Sequence, residues 1–146
     1  MSDTHTLVMT RVLPASRATV FRAWTTTEML VAWFCPGEEM TVPVAETDPR
    51  EGGTYRIVMQ NKDGETFSPS GTYEKVVQDE QLVFSWKWAD SDLVTRVTID
   101  LKELGPDETE LTLTHEGFPE TEIRDKHNGG WNGCLDRLES YLRQAA

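Results

Sequence analysis

The chain has 146 residues, 38% of them hydrophobic, which is enough for one domain with a sizeable core. Its 25 acidic and 14 basic side chains give a formal charge of −11, and this balance disfavours nucleic acids and anionic membranes, which bind basic surfaces. The N-terminus lacks the pattern of a secretory signal, and no apolar run reaches the roughly 20 residues of a membrane span. We therefore expect a single domain over residues 1–146 that is cytoplasmic and does not insert into membranes.

The first third of the chain predicts one strand, two short helices and an edge strand. The segment THTLVMTRVL is strand-like and ends at Pro14. Ser16 is a candidate N-cap for a helix over SRATVFRAW, and TTEMLVAWF has the pattern of a second short helix. MTVPVAE is again strand-like, but Pro43 cannot donate a hydrogen bond to a neighbouring strand, which indicates a position at a sheet edge.

From residue 53 onward, apolar and polar side chains alternate in segments that are separated by turn sequences. The alternating segments are TYRIVMQ, GTYEKVV, LVFSWKW, RVTIDLKEL and TELTLTHE. Strands at this even spacing are typical of an antiparallel sheet with one buried face. The phase of the alternation predicts that Arg56, Lys87 and Asp100 point to solvent, because each lies between the apolar residues of its strand.

The last segment predicts a long helix that begins near Thr121, after Pro119. Its apolar residues recur at intervals of four, three and four on one helix face; they are Trp131, Leu135, Leu138 and Leu142. A sheet with one apolar face needs a cover, and this helix is the only long element that the sequence offers. The predicted fold is therefore α+β: a curved antiparallel sheet of about seven strands wrapped around a long C-terminal helix, with two short helices after the first strand.

Three glycines interrupt the predicted helix, and each costs roughly 1 kcal/mol relative to alanine. Gly129 and Gly130 allow two interpretations, since they either kink or break the start of the helix or serve as a packing device. As a packing device, a glycine lets backbone approach the helix closely or leaves a gap beside it. For Gly133, which lies deeper in the apolar stripe, the packing interpretation is the better one.

Three stretches of the sequence have a recognisable pattern: RVLPASRATVFRAWTTTEMLVAWFCP, GGTYRIVM and HNGGWNGCLDRLESYL. They resemble motifs of the activator of Hsp90 ATPase homologue 1-like family, in the family's order and covering essentially the whole chain. The family belongs to the SRPBCC superfamily, also called Bet v 1-like, START-like or polyketide cyclase-like, so the resemblance implies the helix-grip fold. It also implies a cavity between sheet and long helix, where related proteins bind lipids, sterols, polyketides or plant hormones and some catalyse cyclisation or dehydration. The Hsp90 co-chaperone carries an additional N-terminal domain, and we do not expect its role here because a shared fold does not transfer function.

The strand alternation and the helix stripe together predict the residues that line such a cavity. They are Trp33 and Phe34 near the entrance, Tyr55, Ile57, Met59, Tyr73, Phe84, Trp86, Trp88, Val97, Ile99, Leu113 and His115 on the strands, and His127, Trp131, Cys134, Leu135 and Leu138 on the helix. The set is rich in aromatic residues and methionine with few polar groups, as in small-molecule pockets. The alternative is that the same residues simply fill a core, which is the commoner use of this composition; the family resemblance favours the cavity.

Two histidines are the candidates for chemistry. His115 is predicted to face inward near the end of its strand, and His127 precedes Trp131 by four residues, on the same helix face. Imidazoles at one end of a cavity can orient a polar ligand group or transfer a proton; the alternative is a structural hydrogen-bonding role. Metal-ligand spacing, a phosphate-binding glycine loop and a nucleophile elbow are all absent from the sequence, so we expect no metal and no cofactor. Cys35 and Cys134 are expected to be core residues.

The leading hypothesis is a protein that binds a small apolar or aromatic molecule. Whether it is an enzyme stays open: one alternative is a cyclase- or hydrolase-type enzyme that uses His115 or His127. A second alternative, a chaperone-associated interaction module, rests on the family name alone. We expect a monomer or weak homodimer, and we expect Trp86 and Trp131 on opposite walls of one interior space.

Overall fold

An antiparallel sheet bends around one long helix, and two short helices lie beside it. The structure is a computed structural model, and it describes residues 4–35, 37 and 39–145. Within these residues the elements, in chain order, are β1 (His5–Leu13), α1 (Arg17–Thr25), α2 (Thr27–Trp33), β2 (Thr41–Thr47), β3 (Thr54–Gln60), β4 (Thr66–Phe67), β5 (Pro69–Val77), β6 (Gln81–Trp88), β7 (Thr95–Gly105), β8 (Glu108–Phe118) and α3 (Thr121–Ala145). The predicted α+β helix-grip fold is confirmed. The expectation of one domain over residues 1–146 stays a prediction.

The sheet has the strand order β1-β8-β7-β6-β5-β3-β2, and all its pairs are antiparallel. These seven strands match the predicted number, and the additional β4 spans two residues that pair with the end of β3. Because β2 lies at one end of this order, Pro43 occupies an edge strand as predicted. The pairing of β2 with β3 is irregular between Thr41 and Val44, which accommodates the missing N–H of the proline.

One face of the sheet is buried and the other faces water, as the alternation predicts. On β3, Tyr55, Ile57 and Met59 are buried, and Arg56 between them is exposed. Lys87 and Asp100 are half-buried on the outer face, where the Asp100 carboxylate accepts a hydrogen bond of 2.7 Å from the side chain of Gln81. The predicted registers are therefore confirmed.

The two short helices begin and pack as expected from their sequences. The Ser16 hydroxyl accepts a hydrogen bond of 3.3 Å from the Thr19 N–H, which caps α1. The indole N–H of Trp33 donates to the Ala23 carbonyl at 3.0 Å, and its ring packs edge-on against Trp24 at 4.8 Å between centroids. This bond between α1 and α2 fixes the position of Phe34, which directly follows α2.

The long helix α3 is continuous from Thr121 to Ala145, so Gly129 and Gly130 neither break nor end it. Its predicted start at Thr121 is confirmed. On its apolar face, Leu135 and Leu138 are fully buried beneath the sheet. Arg11 of β1 donates to the Asp136 carboxylate at 2.8 Å, tying the edge of the sheet to the helix. None of the described helices has the length and hydrophobicity of a transmembrane segment.

The sheet bends where β5 meets β6. Their pairing shifts register between Tyr73 and Lys75, and such a bulge bends the strand that carries it. At Gly71 the two backbones come so close that a β-carbon would overlap the carbonyl oxygen of Ser85. The hydroxyl of Ser85 also accepts the Thr72 N–H at 2.9 Å. A residue without a side chain is therefore required at position 71.

Gly71→Ala should lower the free energy of unfolding by about 1–3 kcal/mol, because the new methyl group meets backbone atoms that cannot move aside cheaply. Urea unfolding followed by far-UV circular dichroism measures this loss. Gly105→Ala is the matched control, since the nearest atom to a β-carbon there is 4.0 Å away. Equal stability of the two variants would contradict the close approach of β5 and β6.

Candidate ligand-binding site

A cavity of about 230 Å³ lies between the sheet and the N-terminal half of α3. Its surface is almost entirely apolar, and its lining residues come from the end of α2, from β3, from β6 and from α3. They are Phe34, Met59, Trp86, Trp88, Lys126, His127, Gly130, Trp131 and Cys134. The cavity therefore lies at the interface that the fold creates when the sheet grips the helix.

The exposure of the lining residues shows which way the cavity opens. Lys126 is exposed, and Trp88, His127 and Gly130 are half-buried. The other lining residues are buried: Phe34, Met59, Trp86, Trp131 and Cys134. The cavity thus runs from an opening beside Lys126 into the aromatic interior of the protein.

The inner wall is a continuous cluster of aromatic rings. The centroids of the Trp86 and Trp131 rings are 5.1 Å apart, and Phe34 packs edge-on against Trp131 at 5.7 Å. Trp88 packs edge-on against Trp86 at 5.4 Å. The expectation that Trp86 and Trp131 stand on opposite walls is wrong, because helix and sheet approach closely enough here for the two indoles to touch. They form one wall.

His115 lies behind this wall, fully buried, at the centre of a chain of hydrogen bonds. The indole N–H of Trp131 donates to its Nδ1 at 3.0 Å, so the imidazole proton is on Nε2, which donates to the Thr95 hydroxyl at 2.7 Å. The Thr95 hydroxyl donates in turn to the Trp86 carbonyl at 3.3 Å. Both ring nitrogens are used, and the chain connects α3, β8, β7 and β6.

His127 is held in a similar way at the side of the cavity. Its Nδ1–H donates to the Ile123 carbonyl one turn earlier on α3, at 2.8 Å. Its Nε2 accepts the indole N–H of Trp88 at 2.9 Å. The ring therefore joins α3 to the end of β6, and neither of its nitrogens is left without a partner.

The buried environment keeps both histidines neutral and the nearby thiols protonated. Burial, with a smaller contribution from neighbouring His127, lowers the pKa of His115 to about 3. Burial also lowers the pKa of His127, although its hydrogen bond to the Ile123 carbonyl acts in the opposite direction. The pKa values of the Cys35 and Cys134 thiols are raised, mainly by burial. In the described part of the chain, no group of three His, Cys, Asp or Glu side chains is arranged to hold a metal ion.

Of the residues predicted to line a cavity, the structure brings one subset together around it. That subset is Phe34, Met59, Trp86, Trp88, His127, Trp131 and Cys134. A second subset encloses only a gap of about 10 Å³, which is barely the room that one water molecule needs; its members are Tyr55, Ile57, Tyr73 and Phe84. The rest fill the core: Trp33, Val97, Ile99, Leu113, His115, Leu135 and Leu138. Trp33 is fully buried, and Phe34 is buried in the inner wall of the cavity, so the expectation that both lie near the entrance is wrong. As ligand-binding residues, the first subset stays a prediction.

Two lining residues, Lys126 and Gly130, were missed by the sequence analysis. They lie eight and four residues before Cys134, respectively, on the helix face that borders the cavity, and this spacing was a signal that could have found them. Gly133, which was expected to serve as a packing device within the apolar stripe, instead borders a separate surface groove with Ala32 and Arg137. The glycine beside the cavity is Gly130.

Comparison with known proteins identifies relatives of the whole chain. The sequence model of the family described as "Activator of Hsp90 ATPase homolog 1-like protein" matches residues 14–143. Among curated proteins, no match was found.

Solved structures share the fold over nearly their full length. A protein from Chromobacterium violaceum is 27% identical with a TM-score of 0.84, covering 94% of this chain and 96% of its own. One from Nitrosomonas europaea is 25% identical with a TM-score of 0.83, covering 97% and 96%. The AHSA1 protein from Silicibacter pomeroyi has a TM-score of 0.87 at 23% identity, covering 97% of this chain and 100% of its own, and at this identity the likeness shows the fold alone.

The depressed pKa of His115 should make the protein less stable in acid. The unfolded histidine binds a proton at about pH 6.5 and the folded one only near pH 3, so stability is complete above pH 6.5 and is lost as the pH falls. Between pH 7.5 and pH 5 this histidine alone should cost about 2 kcal/mol. His115→Gln keeps a neutral donor and acceptor, so its free energy of unfolding should fall by about 2 kcal/mol less over the same range. Urea unfolding at both pH values tests this; identical pH dependence in both proteins would contradict it.

Proposed function

The chain belongs to the family of activator of Hsp90 ATPase homolog 1-like proteins, and from this premise and the cavity we propose that it binds a small aromatic or apolar molecule between α3 and the sheet. The fold is a general ligand-binding scaffold. The proposal concerns the use that this chain makes of it, and it rests on the residues that border the cavity.

The observation that carries the proposal is an apolar cavity of about 230 Å³ that opens to the surface. A dry apolar cavity of about 150 Å³ in another protein holds benzene, so this one has room for about two fused aromatic rings. Water gains little in such a space, because an ordered water needs two to four polar partners. Trp86, Trp131 and Phe34 instead offer ring faces and edges against which an aromatic ligand can pack.

The size of the cavity also sets the scale of affinity. A ligand with about 10 to 12 non-hydrogen atoms, at the binding energies per atom seen for small ligands, corresponds to a Kd in the roughly micromolar to millimolar range.

Binding is better supported than catalysis by the same residues. A general acid or base needs a free nitrogen or oxygen within reach of the substrate, but both nitrogens of His115 and His127 are engaged by protein groups. A cyclase- or hydrolase-type activity would require one of these bonds to open. The chaperone-associated role is supported only by the family description, and none of the contacts between described residues adds to it.

Gly130→Leu should block binding without harming the fold. A β-carbon at Gly130 meets nothing within 4 Å, so the leucine side chain can enter the open space at the cavity mouth. Replacing a helical glycine should also raise stability by up to about 1 kcal/mol. Binding of naphthalene-sized probes, measured by tryptophan fluorescence and calorimetry, should be lost.

Gly129→Leu is the matched control. A β-carbon there also meets nothing within 4 Å, but Gly129 is exposed and does not border the cavity. The two variants share the gain in helix propensity, and only the first should lose the probe. A parent protein that binds no probe, or a Gly130→Leu variant that binds as well as the parent, would overturn the proposal.

A further inference from the structure

We infer that the ligand is an aromatic anion, whose ring system occupies the cavity and whose negative group meets Lys126 at the opening. The inference rests on the proposed function, because it specifies the chemical class of molecule that the same cavity takes. The observation behind it is the distribution of charge around an otherwise apolar space.

Lys126 carries the formal charge of the cavity lining. The other lining residues are aromatic or apolar, apart from Cys134 with its protonated thiol and His127, which the hydrogen bonds to Trp88 and Ile123 hold as a neutral ring. A carboxylate that lies deep in this cavity would lose its hydration without a partner. A carboxylate at the opening keeps part of its hydration and gains an ammonium group.

The position of Lys126 suits this role. Lys126 borders the cavity and is also exposed to solvent. A lysine in such a position covers apolar surface with its aliphatic stem while its ammonium group stays in water. None of the ion pairs between described residues uses Lys126, whereas neighbouring Asp125 pairs with Arg124 at 3.2 Å. The ammonium group is therefore free to meet a ligand.

The net charge of the whole protein is opposite in sign to the charge of Lys126 at the cavity mouth. At a net charge of −11, the protein repels anions at long range. The protein has 14 basic and 25 acidic side chains, so most of its surface disfavours a negatively charged ligand. Lys126, at the mouth of an apolar cavity, attracts such a ligand locally. A cationic ligand would meet the lysine directly and be repelled.

Two isosteric probes, naphthalene-2-carboxylate and naphthalene-2-carboxamide, separate charge from shape. Calorimetry on the parent protein at pH 7.5 should give a roughly three- to fivefold lower Kd for the carboxylate, the effect of one partly exposed ion pair. Lys126→Gln should abolish this difference between the two Kd values and leave the Kd of the carboxamide unchanged. Lys102→Gln is the control, because it removes the same charge from an exposed position on β7 that does not border the cavity.

Each outcome bears on a different claim. If the carboxamide binds and the carboxylate binds no better, or if Lys126→Gln keeps the parent's ratio, the anion inference is overturned while the proposed function stands. If neither probe binds the parent, the proposed function fails and the inference fails with it. If the preference for the carboxylate is lost in Lys126→Gln and kept in Lys102→Gln, both the proposed function and the anion inference are supported.

Discussion

The interaction on which the rest of the structure depends is the packing of α3 against the concave face of the sheet. Every strand that contributes to this face has a buried apolar row, and α3 is the long helix within the described residues that covers it. Each fully buried leucine contributes roughly 1.5–3 kcal/mol relative to an exposed one, so Leu135 and Leu138 alone make the contact substantial. The sheet must bend to follow the helix, and the bulge in β5 with the close approach at Gly71 provides a bend.

The cavity arises because the side chains that α3 turns toward the sheet differ between its two ends. Toward the C-terminal end of α3, leucine side chains fill the space beneath the sheet, and no room remains for a ligand. Toward the N-terminal end, Gly130 has no side chain, and exposed Lys126 one turn earlier turns its charge to water. The missing side chain at Gly130 therefore leaves open space at this end of the helix, and aromatic residues border that space. One helix thus stabilises the fold with one half and shapes the candidate site with the other.

The hydrogen-bonded histidines show how a perturbed pKa can belong to structure rather than to chemistry. Strong shifts often mark catalytic residues, but the inference is statistical. In this protein the shift of His115 comes mainly from burial, and every polar atom of its ring has a partner. Its bond from Trp131 and the link through Thr95 to Trp86 fix the two indoles that form the inner wall. The imidazole therefore positions the wall of the cavity.

The sequence by itself determined the strand registers, the N-cap of α1, the start of α3 and the order of the main elements, because these follow from local periodicity and turn chemistry. Alternation shows which face a side chain occupies, and it correctly placed Tyr55, Ile57 and Arg56. It does not report the distance to the opposing layer, and that distance decides whether an inward residue fills the core or borders a cavity. Only the tertiary structure could therefore show that Trp86 borders the cavity whereas Val97 fills the core, and that Gly130 borders the cavity whereas Gly133 does not. It alone also shows that His115 forms hydrogen bonds with residues on a strand and a helix that are remote in sequence. Layer spacing depends on the summed volumes and curvature of segments that are remote in sequence, and no local pattern encodes that sum.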